Sequence, residues 1–123
     1  MRVLFTGTRE ALATDGPAVY LVVMREVPAP ADMTILHGGA KGVDAIADAI
    51  GRGYLHCPVE VYRADWKTHG KKAGPIRNQL MLDVGTPDLV LAYPSTRFAS
   101  KGTMDMVERA RKAGVRTVVT WLP

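Results

Sequence analysis

Apolar positions along this chain follow two alternating rhythms. Short continuous runs, "RVLFTG" (2–7), "MTILHG" (33–38), "VEVYRA" (59–64), "DLVLAYP" (88–94) and "RTVVTWL" (116–122), are rich in Val, Leu and Ile and read as strands. Between them lie longer segments in which apolar residues recur at helical spacing: 15–27, 42–53, 75–85 and 103–114. The punctuation agrees. Thr14 or Asp15 can cap the first helix with Pro17 in its opening turn, "PAPAD" stops it, Pro75 opens the third, and Gly85 and Gly114 end the third and fourth. The segment 65–74, "DWKTHGKKAG", reads as a polar connection, and 95–102 as a loop.

Strands alternating one by one with helices predict the α/β class: a three-layer Rossmann-like sandwich around a mostly parallel five-stranded sheet, as one domain over 1–123. Uninterrupted apolar strands such as "LVLA" suit a sheet covered on both faces. In such sheets ligands bind beyond the carboxyl ends of the strands, where strand order reverses. The strand-to-helix loops are therefore the places to look for chemistry.

Composition narrows the classes. Hydrophobic residues are 47% and charged residues 23%, the balance of a soluble globule. No apolar run reaches the ~18 residues of a membrane span, and "MRVLFTG" is too short for a signal peptide. The single Cys57 excludes an internal disulfide and fits a cytoplasmic location and a packing role. His37, His56 and His69 lie far apart, so no metal site is expected, and no cofactor is implied. A net charge of +4 suits an anionic ligand, but Lys and Arg are scattered rather than gathered with aromatics, which argues against a dedicated nucleic-acid reader.

Four loops carry chemistry-bearing residues. "TGTRE" offers Gly7 for a close turn, the Thr6 and Thr8 hydroxyls, and Arg9 for bidentate contact with phosphate. "HGGAKGVD" places Gly38, Gly39 and Gly42 between a strand and a helix. Successive amides there can form an anion nest, with Lys41 as a point charge and Asp44 placed to cap N–H groups or accept from a ribose hydroxyl. It is neither a Walker loop nor a GxGxxG fingerprint. "ADWKTHGKKAGPIRNQ" holds Trp66, which either offers a flat face to a base or tucks over the core edge, and Arg77 and Asn78 on a first helical turn. "PSTRFASKGTMDM" opens the last helix with Gly102 and Thr103 and puts Asp105 in its first turn. Tyr93, at the end of the fourth strand, is a second candidate to flank a base.

Taken together, "TGTRE", "HGGAKGVDAIAD", "ADWKTHGKKAGPIRNQLML" and "KGTMDMVERARKAG" resemble, in order, the YspA-type, cpYpsA-related branch of the SLOG superfamily. The resemblance implies a Rossmann-like fold and a pocket for a nucleotide or nucleotide-derived ligand. It also implies that Gly7, Arg9, Gly38, Gly39, Gly42, Asp44, Arg77, Asn78, Gly102 and Thr103 line that pocket. Phosphoribohydrolases of the superfamily carry Pro-Gly-Gly-x-Gly-Thr-x-Glu-Glu. Here the paired glycines are missing and the acidic positions become Asp105 and Met106. Methionine can neither exchange a proton nor stabilise an oxocarbenium ion by charge.

The leading expectation is thus a nucleotide-binding sensor or carrier module. A nucleotide hydrolase is the alternative, and single-stranded DNA binding through Lys41, Lys67, Lys71 and Lys72 the third reading. The first helix is apolar on several faces (Val19, Tyr20, Leu21, Val22, Val23, Met24), more than one core stripe needs, which raises the expectation of a homodimer.

Overall fold

A computed structural model describes all residues, Met1–Pro123. Five strands, β1 (Arg2–Gly7), β2 (Thr34–His37), β3 (Val59–Val61), β4 (Leu89–Tyr93) and β5 (Arg116–Val119), form one sheet in the order β3-β2-β1-β4-β5, and every pairing is parallel. The chain builds outward from β1 to β3, then returns across the sheet to place β4 on the other side of β1. Strand order therefore reverses between β1 and β4, and their carboxyl ends, Gly7 and Tyr93, lie side by side.

The period-two alternation of the strands divides the core into two layers. Val3, Phe5, Ile35, Leu89, Leu91 and Tyr93 face helices α1 (Gly16–Glu26) and α2 (Val43–Ala49). Leu4, Leu36 and Val90 face the other way, against Met81 and Leu82 of α4 (Ala73–Asp83) and Met106 and Ala110 of α5 (Lys101–Lys112). This is the expected three-layer sandwich, with all five strands parallel. Cys57 is buried in the first layer, in the packing role expected of it.

Four local expectations are corrected. The segment after β3 is not a bare loop: Asp65 accepts from the Thr68 amide at 3.1 Å and caps a one-turn helix α3 (Trp66–His69), and a 3-10 turn (Gly70–Lys72) leads into α4. This stretch lacks an apolar stripe because it lies on the surface, so periodicity could not signal it. Pro75 sits third in α4, still within the turn whose N–H groups have no helical partner. The second helix does not run regularly to Gly53 but widens into a π-helical turn (Ile50–Leu55) through two glycines, closed by His56 in the left-handed region. Asp15 caps no α1 amide; its carboxylate accepts from the Leu12 amide instead.

Tyr93, expected as a base platform, is wholly buried. Its ring stacks on Phe5 at 6.4 Å, and its hydroxyl donates to the Val19 carbonyl at 3.0 Å. Burial pushes its phenol above its ordinary value. No helix is long and apolar enough to cross a membrane.

Candidate functional site

The loops that follow β1, β2 and β4 meet the second turn of α4 at the carboxyl edge of the sheet; Arg77 and Asn78, expected on a first helical turn, lie one turn in because the helix already starts at Ala73. Between them is a polar cleft of about 180 Å³. Its walls include Thr8 and Arg9 after β1, Asp44 on α2, Arg77 and Asn78 on α4, and Gly102 and Thr103 on α5. These seven were all singled out from the sequence, as was Gly7, which also lines the cleft.

The glycine loop is built around its own aspartate. Asp44 stands in the first turn of α2, is 7% exposed, and its Oδ2 accepts from the amides of Gly38 (3.0 Å) and Ala40 (3.2 Å). The Gly39 amide between them donates to His37 Nδ1 at 2.9 Å. His37 is held in turn by Asp48, Nε2 to Oδ1 at 2.8 Å. Since Nδ1 accepts, Nε2 carries the proton in this arrangement. Of the amides expected to cradle a ligand anion, those of Gly38 and Gly39 are therefore already occupied by side chains of this chain, while that of Gly42 has no acceptor but belongs to a residue that does not line the cleft. Glycine is needed here for space. A Cβ on Gly38 would collide with the Arg77 guanidinium, and one on Gly42, at φ +82°, with the Thr8 carbonyl. That close approach lets the Val43 amide donate to Thr8 O at 3.1 Å and ties the β1 loop to α2.

Asp44 Oδ1 has no protein partner, yet no side-chain polar atom of the protein is both buried and unpaired. Oδ1 is therefore open to the cleft that Asp44 lines. Burial pushes this carboxyl up from its ordinary value, outweighing the two amides and the nearby Arg77 guanidinium.

Three free amides lie across the cleft from Asp44. Lys101, Gly102 and Thr103 form the first turn of α5, and their N–H groups find no acceptor in the protein. Thr103 is 4% exposed and its hydroxyl is likewise unpartnered, facing the cleft. Asn78 sets this turn in place: its Nδ2 donates to Gly102 O at 3.2 Å and to Asp105 Oδ2 at 3.0 Å. Arg77 is half-buried. It donates from Nη1 to the carbonyls of Gly38 (2.8 Å) and Tyr62 (3.2 Å) and from Nε to Asn78 Oδ1 (3.1 Å). Burial pulls its guanidinium below the ordinary value; Asp44 opposes this and Arg9 adds to it.

Six expected site residues do not line the cleft: Gly42, which lines an apolar groove between α1 and α2, Gly38 and Gly39, which line a neighbouring recess, and Asp105, Lys41 and Trp66. Asp105 does not line the cleft; it pairs with Arg109 at 2.9 Å one turn along α5 and accepts from Asn78. Lys41 is exposed on the outer surface of its loop and does not line the cleft. Trp66 is 51% exposed rather than tucked over the core, and lines a neighbouring recess with Gly38 and Gly39. The Arg9 guanidinium lies 6.0 Å from the centre of its ring. Sequence reading missed Glu10, Ser100, Lys101 and Arg63. The first three line the cleft, and Arg63 lines the recess. Glu10 and Lys101 are neighbours of residues already chosen, a signal that was present. Arg63 ends an unremarkable strand segment and carried none.

A family model described as "YspA, cpYpsA-related SLOG family" matches residues 1–69, more than half of the chain. The chain belongs to this family. A curated relative agrees with that placement over nearly the full length. The gene 61 protein of Mycobacterium phage D29 is 38% identical over 122 residues, covering 95% of this chain and 94% of that protein. SLOG membership brings nucleotide-related ligand binding as a coarse functional assignment. The part of this SLOG chain inside the family match includes the β1 loop, the glycine loop and Trp66; α4 and α5, which complete the cleft, lie beyond it.

Proposed function

We propose that this SLOG domain binds a nucleotide or nucleotide-derived small molecule in the cleft at the β1/β4 reversal, as a sensor or carrier module. The phosphate sits on the free amides of Lys101, Gly102 and Thr103, with Arg9 and Lys101 supplying positive charge. Asp44 Oδ1 accepts from a sugar hydroxyl. The observation that supports this most directly is the convergence of three unpaired amides, an unpartnered hydroxyl on the buried Thr103 and one open carboxylate oxygen on the buried Asp44 in a single cleft. The phosphate position differs from the sequence expectation because the Gly38–Ala40 amides already have partners.

Hydrolysis has less support. Of the positions where the phosphoribohydrolases carry acids, Asp105 is ion-paired outside the cleft and Met106 is wholly buried in the core. A cytoplasmic location belongs to the same reading, in keeping with one unpaired buried thiol at Cys57.

Isothermal titration with a panel of nucleoside mono- and diphosphates and ADP-ribose derivatives tests the reading. At least one is expected to bind, and Thr103→Val, which keeps shape and removes the hydroxyl, to weaken it about tenfold. No heat from any member of the panel overturns the proposal. Release of free base or phosphate from a bound nucleotide would move the assignment to the hydrolase.

A further inference from the structure

The cleft does not end at Arg9 and Arg77. Both residues, with Ala40, also line the recess beside Trp66, so the two hollows share a wall. The cleft has about 180 Å³ and the recess about 260 Å³. Each alone is smaller than the ~300 Å³ at which small-molecule pockets begin, whereas the two together exceed it. Their charge differs. The cleft sets Arg9, Arg77 and Lys101 against the carboxylates of Glu10 and Asp44. The recess is lined by Arg9, Arg63 and Arg77 and by no acidic residue.

The donors of these guanidiniums are mostly unused. Arg9 makes no hydrogen bond to the protein and rests only over the Trp66 ring. Arg63 donates a single long bond, Nη1 to Gly39 O at 3.3 Å. Arg77 holds carbonyls with Nη1 and leaves Nη2 free. Three like charges around one hollow repel one another, and an anion between them relieves that repulsion. Planar forks with free N–H pairs are the groups that recognise phosphate in bidentate fashion.

We infer that the Arg9–Arg63–Arg77 recess is a second anion subsite, so that the ligand carries two linked phosphates, one on the α5 amides and one among the arginines. The inference rests on the binding reading above and narrows its ligand class to diphosphate-bearing nucleotides. The Trp66 indole forms the outer wall of this subsite and holds Arg9 at the partition in its absence.

Inorganic phosphate and pyrophosphate test the subsite without assuming a base. Titration at fixed ionic strength is expected to show pyrophosphate binding the wild-type protein about tenfold or more tighter than phosphate. Arg63→Ala should reduce that ratio to about twofold, the loss falling mainly on pyrophosphate. Arg63 is exposed, so the variant is expected to fold. Arg63→Lys, which keeps charge and loses the fork, should fall between. Lys112→Ala, an exposed charge on the last turn of α5 that lines neither hollow, should leave the ratio unchanged. Phosphorus NMR of bound adenosine 5′-diphosphate should show both resonances shifted, and only one in Arg63→Ala. Equal affinity for the two anions, an equal loss for both in Arg63→Ala, or an equal effect of Lys112→Ala overturns the inference. If mononucleotides still bind in that case, the reading of the cleft stands alone. If neither the anions nor any nucleotide binds, both fall.

Discussion

Asp44 shows how a side chain chosen for a ligand serves its own backbone first. One carboxylate oxygen closes the glycine loop and the other is left facing the cleft, so one residue both shapes the cleft and, in the proposed reading, accepts from its ligand. From the sequence its type and its place in a first helical turn were legible. That its loop amides would be occupied was not, because this depends on a side-chain direction set by packing. A second polar cluster shows a residue-scale effect free of ligand. Arg2 forks onto Glu60 with bonds of 2.9 and 2.7 Å across β2, and Tyr62 donates to the same carboxylate at 2.9 Å. The Arg2 bond holds the Glu60 carboxyl below its ordinary value. The unfolded chain then binds a proton more readily than the native one, so this stabilisation is present above the ordinary glutamate value and is lost as pH falls through the lowered one. Because Glu60 is 40% exposed, solvent screens the pair. Glu60→Gln is expected to cost up to about 1 kcal/mol at neutral pH, and nothing once both states are protonated. Urea denaturation of both proteins across that range checks it; a difference that does not vary with pH would refute the assignment.

At the scale of elements, the junction of α4 and α5 matters most. Asn78 is 4% exposed and joins them through Gly102 O and Asp105 Oδ2, while its own carbonyl receives Arg77 Nε. It holds the turn whose amides the proposal uses, without itself presenting those amides. Asn78→Ala removes these bonds and leaves the half-buried Arg77 Nε donor without its acceptor, a loss of about 1–3 kcal/mol. Thermal or urea unfolding should register that loss, and nucleotide affinity should fall with it. Unchanged affinity in a folded Asn78→Ala protein would show that the α5 turn needs no such anchor. The elements themselves were mostly visible in the periodicity. The exceptions, α3 and the π-helical turn, were missed for opposite reasons: one has no apolar face, and the other has an apolar face but two glycines that let the helix widen.

For the whole molecule, the strand order is the decisive feature. Reversal at β1/β4 opens a gap between the loop that follows β1 and the loop that follows β4, and the polar cleft lies there. The outer surface raises the oligomer question again. On α1, Val19, Val22 and Val23 are buried, while Leu21 and Met24 are 65% and 62% exposed. An apolar groove of about 460 Å³ lies between α1 and α2, with Tyr20 and Tyr54 in edge contact beside it. These features keep a homodimer through α1 as the expectation. Sedimentation velocity over a range of concentrations should give a dimer, and Leu21→Glu a monomer with unchanged helicity. A wild-type monomer at high concentration would end that expectation.

Local rhythm in the residues was enough to establish the class of fold, the existence of the sheet, the faces of the helices and the loops that carry chemistry. Burial imposes a period on each element separately, and that period survives in the linear order. Which loop donates its amides was decided by contacts between residues distant along the chain. Gly38 meets Arg77, Thr8 meets Gly42, and Asn78 meets Gly102 only after the sheet has ordered its strands. Asp44 could quiet the first set of amides only because α2 docks against β1, and those at the head of α5 stay free because no side chain of the folded protein reaches them.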